Sequence, residues 1–393
     1  MPLDVSAVQA ALRAAGLDGW LLYDFHGSNP VARRLTGLAT TGHMTTRRWF
    51  YLIPTQGSPK GLVHKIERAT LAHLPGTTSE YAGRVELEAG LKSLLAGLRT
   101  IAMEYSPRGA IPYVSRVDAG TIELVRDQGV HVASSGDLIQ QFEAVWSDEG
   151  FASHRAAAER LYRIKDRAFA SIAMRLRDGL PTTEFDVQTS MMEWFDEEGL
   201  ATDHPPIVAT EANAGNPHYQ PLAAGSRRIG RDEVVLLDLW GKLPTPGAVY
   251  ADISWMGYTG ATPPAPLVAA FTAVRDARDA AVTLVEAAAA AGREVRGWEA
   301  DQAARGVLYA AGFGGAILHR TGHSLGEEVH GNGAHLDDYE TRDERRLLPG
   351  TGFTIEPGLY FETFGVRTEI NIAWGRGGPE VTGPRQMAVV PVV

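Results

Sequence analysis

The order of apolar and polar residues divides the chain into two halves with different patterns of elements. In residues 1–145, short apolar stretches alternate with segments whose apolar residues recur at helical spacing. This alternation predicts an α/β layered structure. The predicted strands are LDGWLLYD, RRWFYLIP, KGLVHK, RTIAMEY and GVHVAS. The predicted helices are VSAVQAALRAAG, RVELEAGLKSLLAGL and DAGTIELVRDQ.

The second half opens on a long helical segment, in which Leu161, Ile164, Phe169 and Ile172 fall near one face. Helices are predicted over about 153–178, 186–199, 266–292 and 297–311. Strands are predicted over VVLLDLWG, AVYADISWMG, GTGFTIEPGLYF and GVRTEINIAW. This order predicts an α+β domain whose helices pack on an antiparallel sheet.

Composition narrows the class of protein. The chain has 393 residues, enough for two domains, and its 44% hydrophobic and 21% charged residues are typical of a globular protein. A net charge of −10 argues against a nucleic-acid partner. No apolar run reaches the ~20 residues that span a bilayer, and the N-terminus lacks a signal-peptide pattern. We therefore expect a cytoplasmic protein with no nucleic-acid or membrane partner.

Four acidic residues lie in strands that should be buried. Asp238 interrupts the apolar run EVVLLDLW, and Asp252 follows it across the turn signal PTPG. The two aspartates are therefore predicted to face each other across a hairpin. Glu356 and Glu369 repeat this arrangement across ETFG, and strand alternation places Arg367 on the same face as Glu369.

A histidine cluster, HRTGHSLGEEVH, accompanies these acids. Buried carboxylates repel one another unless cations or protons neutralise them. The chain contains no cysteine, so a metal must be held by nitrogen and oxygen ligands, which suit Mn²⁺, Co²⁺, Fe²⁺ or Zn²⁺. Any one of these residues alone is more typical of a turn or a solvated loop. The ordered set Asp–Asp–His–Glu–Glu is what predicts a site for two divalent ions.

This ordered set resembles a known family. The segments VVLLDLWG, YADIS, HRTGHSLG with EVH, FTIEPGLYF and GVRTEIN are similar, in the same order, to motifs of the pita-bread metallopeptidases. That family includes methionine aminopeptidase, Xaa-Pro aminopeptidase and Xaa-Pro dipeptidase (prolidase). The first half is similar to the N-terminal domain of the creatinase and prolidase branch. The resemblance implies an α/β creatinase-like domain over 1–148 and an α+β pita-bread catalytic domain over 149–393.

The resemblance also implies the metal ligands. Two divalent ions, manganese first with cobalt or zinc as alternatives, would be bound by Asp238, Asp252, His323, Glu356 and Glu369. Asp252 and Glu369 would bridge the two ions. Glu356 would also act as general base and then as general acid.

Further residues are implied to contact a peptide substrate. His218 in NPHYQ and His330 match family histidines that orient the substrate and stabilise the oxyanion. His319 matches another family position near the site. Arg342 resembles the arginine with which prolidases hold a dipeptide carboxylate. Arg367, in a GVR-x-E motif, indicates the proline-specific branch and is expected at the substrate site.

The implied activity is hydrolysis of the imide bond of Xaa-Pro dipeptides by a metal-bridging hydroxide, in a homodimer that acts on short proline-containing peptides. The main alternative is an Xaa-Pro aminopeptidase, which releases the first residue of longer peptides. A creatinase-like enzyme and a non-enzymatic scaffold are disfavoured because the ligand set is complete. The chain departs from the family at Trp255, where arginine is usual, and at Gly331, where glutamate is usual. These changes bear on the shape of the pocket.

Overall fold

The computed structural model of the chain describes residues 3–39 and 44–393. The chain forms two compact units, Met1–Ala144 and Val145–Val393, and the sequence predicts a boundary four residues later, between residues 148 and 149. Across the described residues, no helix combines the length and the apolar content of a membrane span.

The N-terminal unit is built on a mixed six-stranded sheet. Its strands are β1 (Gly19–Asp24), β2 (Trp49–Pro54), β3 (Lys60–His64), β4 (Thr77–Tyr81), β5 (Thr100–Met103) and β6 (His131–Ser134). Its helices are α1 (Val5–Ala14), α2 (Pro30–Leu35), α3 (Arg84–Leu94), α4 (Ala119–Arg126) and α5 (Gly136–Glu143). The strand order is β4-β3-β2-β1-β5-β6, with β1 antiparallel to β2 and parallel to β5.

Helices cover both faces of this sheet, which explains why β1 is buried along its whole length. Trp20 and Leu22 pack with α1, α2 and α5, whereas Leu21 and Tyr23 pack with α3 and α4. All five predicted strands and all three predicted helices are present. Strand β4, TTSEY, was not predicted because this edge strand is mostly exposed and carries no apolar alternation.

The C-terminal unit contains four long helices and two four-stranded sheets. The helices are α6 (Asp148–Arg177), α7 (Glu184–Glu198), α8 (Ala265–Ala290) and α9 (Gly297–Ala310). The first sheet has the order β16-β9-β8-β7, formed by β7 (Ile207–Thr210), β8 (Val234–Gly241), β9 (Ala251–Tyr258) and β16 (Val390–Pro391). The second has the order β10-β11-β14-β15, formed by β10 (Ser324–Leu325), β11 (Gly352–Ile355), β14 (Ile370–Gly375) and β15 (Gly378–Thr382). A small hairpin joins β12 (Gly358–Tyr360) and β13 (Gly365–Arg367).

Strand β8 is covered on both faces, and this places its aspartate in the interior. Leu237 and Leu239 pack in the core formed with α6 and α7. Leu236 packs in the opposite core, which includes α8 and α9. Alternation puts Asp238 on the same side as Leu236. The four predicted helices are confirmed, and α6 begins at Asp148, ahead of the predicted residue 153, because Ser147 caps its first turn.

A buried histidine links α6 to two strand regions. His154 Nδ1 donates to the carbonyl oxygen of Tyr250 at 2.7 Å, and its Nε2 accepts from the hydroxyl of Thr382 at 3.1 Å. Burial lowers the pKa of His154 from 6.5 to about 4. The folded state therefore binds fewer protons than the unfolded state between these values, and stability is lost as the pH falls through this window.

We expect the free energy of unfolding to contain a component from His154 of about 3 kcal/mol that is present above pH 6.5 and lost by pH 4. His154→Gln should lack this component, because glutamine does not titrate. Urea unfolding of both proteins at pH 7 and pH 4 measures it. Subtraction removes the contribution of the other histidines, which both proteins share. An identical pH dependence in the two proteins would contradict the assignment.

Candidate metal centre

The β8–β9 hairpin carries the two predicted aspartates. Asp238 lies opposite Ser254, and Asp252 lies opposite Trp240. The aspartates therefore share one face but are offset by a diagonal step, which corrects the prediction that they face each other directly. Both carboxylates are buried, where an isolated negative charge is costly.

The two predicted glutamates fall between two short ladders. Strand β12 pairs with β13 and β11 pairs with β14 in one continuous register, which places Glu356 opposite Glu369. The backbone N–H of Glu356 donates to the carbonyl oxygen of Thr321 at 2.7 Å. The backbone N–H of Glu369 donates to the carbonyl oxygen of Ser254 at 3.2 Å. These bonds tie both glutamates to neighbouring segments of the site.

Asp252, His323 and Glu369 come together in the interior of the unit. One potential ligand atom from each lies within 4.8 Å of the other two. His323 Nε2 is 3.6 Å from Asp252 Oδ2 and 3.4 Å from Glu356 Oε1. His323 Nδ1 donates to the carbonyl oxygen of Ser324 at 3.1 Å, so the lone pair of Nε2 faces the carboxylates.

The electrostatics of this cluster fit a divalent cation. Asp252 Oδ1 and Glu369 Oε1 are buried without a hydrogen-bond partner. Burial and then the neighbouring carboxylates raise the pKa of both groups well above the usual value. Burial raises the pKa of Glu356 to about 7 and lowers the pKa of His323 well below its usual value. Unsatisfied carboxylate oxygens beside a neutral imidazole form a donor set that a divalent cation completes.

Asp238 has a different environment, because it forms an ion pair with Arg367. The distance between Arg367 Nη2 and Asp238 Oδ2 is 2.5 Å. Arg367 also donates to Ser254 Oγ at 3.0 Å and to the hydroxyl of Tyr360 at 2.6 Å. The Ser254 hydroxyl in turn donates to Glu369 Oε2 at 2.9 Å. Arg367 therefore contacts the carboxylate group directly and offsets one of its negative charges.

The three histidines of the predicted substrate site lie at different depths. His319 Nε2 accepts from the hydroxyl of Tyr360 at 2.6 Å, so it connects to Arg367 and not to the carboxylates. The ring of His330 stands edge-on to His323 at 4.3 Å, and its outer side is exposed. His218 is exposed. Burial is the main cause that lowers the pKa of His319 and His330, and the nearby His218 makes a smaller contribution.

Arg342 lies in a half-exposed position with acidic partners. Its guanidinium is 3.0 Å from Asp338 Oδ1 and 3.2 Å from Glu344 Oε1, and it lies 4.2 Å from the centre of the Trp298 ring. Within the described part of the chain, none of its ion-pair or ring partners belongs to the carboxylate cluster. The structure therefore brings together Asp238, Asp252, His323, Glu356, Glu369 and Arg367, and it leaves Arg342 in the loop.

Tyr360 and Thr354 also belong to the centre, and neither is among the site residues that the sequence predicts. Thr354 Oγ1 accepts a hydrogen bond from the backbone N–H of His323 at 3.0 Å, and its hydroxyl donates to Glu356 Oε1 at 3.3 Å. Strand alternation places residue 354 on the same face as residue 356, and this signal could have found it. Tyr360 lies beyond the Pro-Gly bend that follows Glu356, so strand alternation does not predict which face its side chain occupies.

The departure at Trp255 has a structural explanation. Trp255 lies on the face of β9 opposite Asp252 and Ser254, and its ring is buried in the core formed with α6 and α7. Lys165 Nζ lies 4.2 Å from the ring centre, which is cation–π geometry. At the position where arginine is usual, the chain therefore has a buried tryptophan in contact with a lysine from α6.

The fold and the centre together define a metal-dependent hydrolase. Residues 156–374 match the sequence model of metallopeptidase family M24, and the chain belongs to this family. It is 25% identical over 350 residues to the "Probable dipeptidase PepE" of Mycobacterium tuberculosis, covering 87% of this chain and 85% of that protein. It is 30% identical over 187 residues to the Xaa-Pro dipeptidase of Lactobacillus helveticus, covering 47% of this chain and 45% of that protein.

The likeness to solved structures concerns the fold. The crystal structure of dipeptidase PepE from Mycobacterium ulcerans superposes with a TM-score of 0.71 at 23% identity, covering 99% of this chain and 96% of that one. The prolidase from Pyrococcus horikoshii gives a TM-score of 0.60 at 21% identity, covering 98% and 99%. These matches confirm the predicted α+β pita-bread fold.

Proposed function

We propose that the protein is a dinuclear-metal Xaa-Pro dipeptidase that hydrolyses the imide bond of Xaa-Pro dipeptides. The observation that carries this proposal is the pair of buried, unpartnered oxygens on Asp252 and Glu369 beside the neutral ring of His323. Membership of family M24 and similarity to a protein named Xaa-Pro dipeptidase support the substrate class.

In this proposal the metal ligands are Asp238, Asp252, His323, Glu356 and Glu369, with Asp252 and Glu369 shared between two ions. Manganese is the proposed metal, with cobalt or zinc as alternatives, because the ligands are mostly oxygen. When bound, the ions would polarise the scissile carbonyl group and acidify a water molecule. Arg367 would hold Asp238 in place through the ion pair described above.

The protein's own groups would move the proton and stabilise the oxyanion. Glu356 would accept a proton from water and return it to the leaving nitrogen. His218 and His330 would donate hydrogen bonds to the substrate oxygen as it gains negative charge. His319 would support this region through its hydrogen bond to Tyr360.

We further propose a cytoplasmic homodimer that acts on short proline-containing peptides, with the N-terminal unit as a creatinase- and prolidase-type domain. These proposals rest on the resemblance of the sequence to the family. Size-exclusion chromatography with light scattering tests the oligomer. A monomer at micromolar concentration would overturn the homodimer.

An Xaa-Pro aminopeptidase is the second candidate, because Arg342 already has two acidic partners. Comparison of Ala-Pro with Ala-Pro-Ala, each with and without chelator, separates the two functions. A dipeptidase cleaves Ala-Pro with a much higher kcat/KM. An aminopeptidase cleaves Ala-Pro-Ala at least as well. Hydrolysis that a chelator does not reduce would exclude both.

Arg342→Ala should raise KM for Ala-Pro about tenfold to a hundredfold, the scale of one charged hydrogen bond of ~1.5–3 kcal/mol. The dipeptide carboxylate would take the place of Asp338 or Glu344 on the guanidinium. Ala-Pro-Ala, which has an amide at that position, should be little affected. Arg346→Ala is the matched control, since Arg346 lies in the same loop and pairs with Glu294 at 2.5 Å. Equal effects on the two substrates would show that Arg342 does not bind the carboxylate.

A further inference from the structure

A cleft of about 560 Å³ opens in the N-terminal unit, within the range of ~300–1,000 Å³ that is typical of small-molecule sites. It lies at the carboxyl ends of three strands, because Tyr23 is next to last in β1, His64 ends β3 and Tyr81 ends β4. Strand β2 runs antiparallel to β1, so Arg48, just before β2, lies at the same edge. Sheets of α/β type commonly bind ligands at this edge.

The cleft is lined by three arginines and one acid. Arg84 pairs with Glu88 at 2.7 Å, and the backbone N–H of Arg47 donates to Glu67 Oε2 at 3.1 Å. Among the described residues, neither the Arg47 nor the Arg48 guanidinium forms an ion pair with a carboxylate. Arg48 is half-buried, and its charge acts on the hydroxyls of Tyr23 and Tyr81. In a chain with a net charge of −10, acidic partners are abundant. A half-buried guanidinium without one is suited to an external anion.

The single acid of the cleft is already occupied. Asp118 Oδ1 accepts from the backbone N–H of Thr121 at 2.8 Å. Asp118 Oδ2 accepts from the hydroxyls of Thr121 at 2.8 Å and of Tyr23 at 3.2 Å. This carboxylate caps α4, and its hydrogen-bond donors are a backbone N–H and two hydroxyls, not a guanidinium. Even with the charge of Asp118 counted, the lining carries an excess of positive charge that favours an anionic ligand.

Aromatic rings supply the apolar part of the lining. Tyr23 and Tyr81 are buried, and the ring of His64 stands edge-on to Tyr81 at 5.1 Å. His64 is fixed, because its Nε2 donates to the carbonyl oxygen of Ala82 at 3.0 Å and its Nδ1 accepts a backbone N–H. Phe25 is 44% exposed, so its ring is open to a ligand. Such a lining favours a flat group beside the anion.

We propose that this cleft binds a small organic anion that carries an aromatic or planar group. Arg48 is the principal contact for the anion, Arg47 contributes a second positive charge, and Phe25 contacts the flat group. All residues of the site belong to the N-terminal unit, and binding needs no metal. The anion is a carboxylate or a phosphate, since both match a guanidinium.

The test is isothermal titration calorimetry on the full chain after chelator treatment and dialysis, so that anions cannot bind to metal. Phenyl phosphate, benzoate and inorganic phosphate are the probes. We expect one saturable site for phenyl phosphate or benzoate, and the tighter of the two identifies the class of anion. Inorganic phosphate should bind more weakly, because it has no ring.

Arg48→Gln should weaken binding by about tenfold or more, the effect of losing a charged hydrogen bond. Phe25→Ala should weaken the binding of phenyl phosphate and benzoate and leave the affinity for inorganic phosphate unchanged. Arg99→Gln is the matched control, because it changes the net charge by the same amount as Arg48→Gln. Arg99 is exposed and lies just before β5, at the edge of the sheet opposite the cleft. The proposal is overturned if no probe saturates the metal-free protein, or if Arg48→Gln binds as tightly as Arg99→Gln.

Discussion

Asp252→Asn and Glu369→Gln should each lose bound metal and lower the turnover of Ala-Pro by at least about a thousandfold, since the charge stabilisation supplied by a metal ion is worth several kcal/mol. Both residues present a buried carboxylate oxygen without a hydrogen-bond partner. In the proposed site each is shared between two ions, so one substitution should empty both positions. Elemental analysis and steady-state kinetics measure the two effects.

The same substitutions should have the opposite effect on the metal-free protein. After burial, the charge of Asp252 raises the pKa of Glu369, and the charges of Asp238 and Glu356 raise the pKa of both groups. Replacing one acid by its amide removes part of this repulsion. We therefore expect the chelated variants to unfold at a higher temperature than chelated wild type. Wild type should gain more stability than either variant when metal is added.

Glu104→Gln is the matched control for this experiment. Glu104 is also a fully buried acid whose pKa is raised by burial. Its carboxylate differs because Trp20, Asn29 and Ser135 all donate to it, at 2.7, 2.8 and 3.0 Å. This variant should keep its metal and gain no stability in the chelated state. If Asp252→Asn and Glu369→Gln behave like Glu104→Gln, the metal assignment is wrong.

The residues that meet at the centre could be predicted because each leaves a local signal. Asp238 interrupts an apolar run, and Glu356 and Glu369 lie on either side of one turn, so a single register relates them. The diagonal offset between Asp238 and Asp252 could not be predicted, because it depends on the length of the connection, which the apolar pattern does not specify.

The apolar and polar pattern of the sequence does not predict which distant segments come into contact. The ion pair between Asp238 and Arg367 joins two hairpins whose residues are 129 positions apart, and only the packing of the sheets brings them together. Arg342 was placed at the substrate site by resemblance alone, and its acidic partners depend on the path of an irregular loop. Local periodicity predicts which face a residue occupies, but it does not predict what packs against that face.

His330→Ala should keep its metal and lower kcat for Ala-Pro by about 10²–10³-fold, the usual loss for one oxyanion donor. Its ring stands edge-on to His323 at 4.3 Å, next to the carboxylate cluster but outside the group of ligand atoms. Partial burial and the charge of Arg320 lower the pKa of His330. The ring is therefore neutral at pH 7 and offers one N–H to the substrate.

The kinetic pattern separates this role from a structural one. A donor that acts on the developing oxyanion should affect kcat more than KM, and His330→Gln, which keeps an N–H, should recover part of the loss. His204→Ala is the control, since His204 is an exposed histidine paired with Asp203 at 3.4 Å, and it should retain full activity. Loss of metal from His330→Ala would make His330 a ligand. A change confined to KM would make it a binding residue without a role in the transition state.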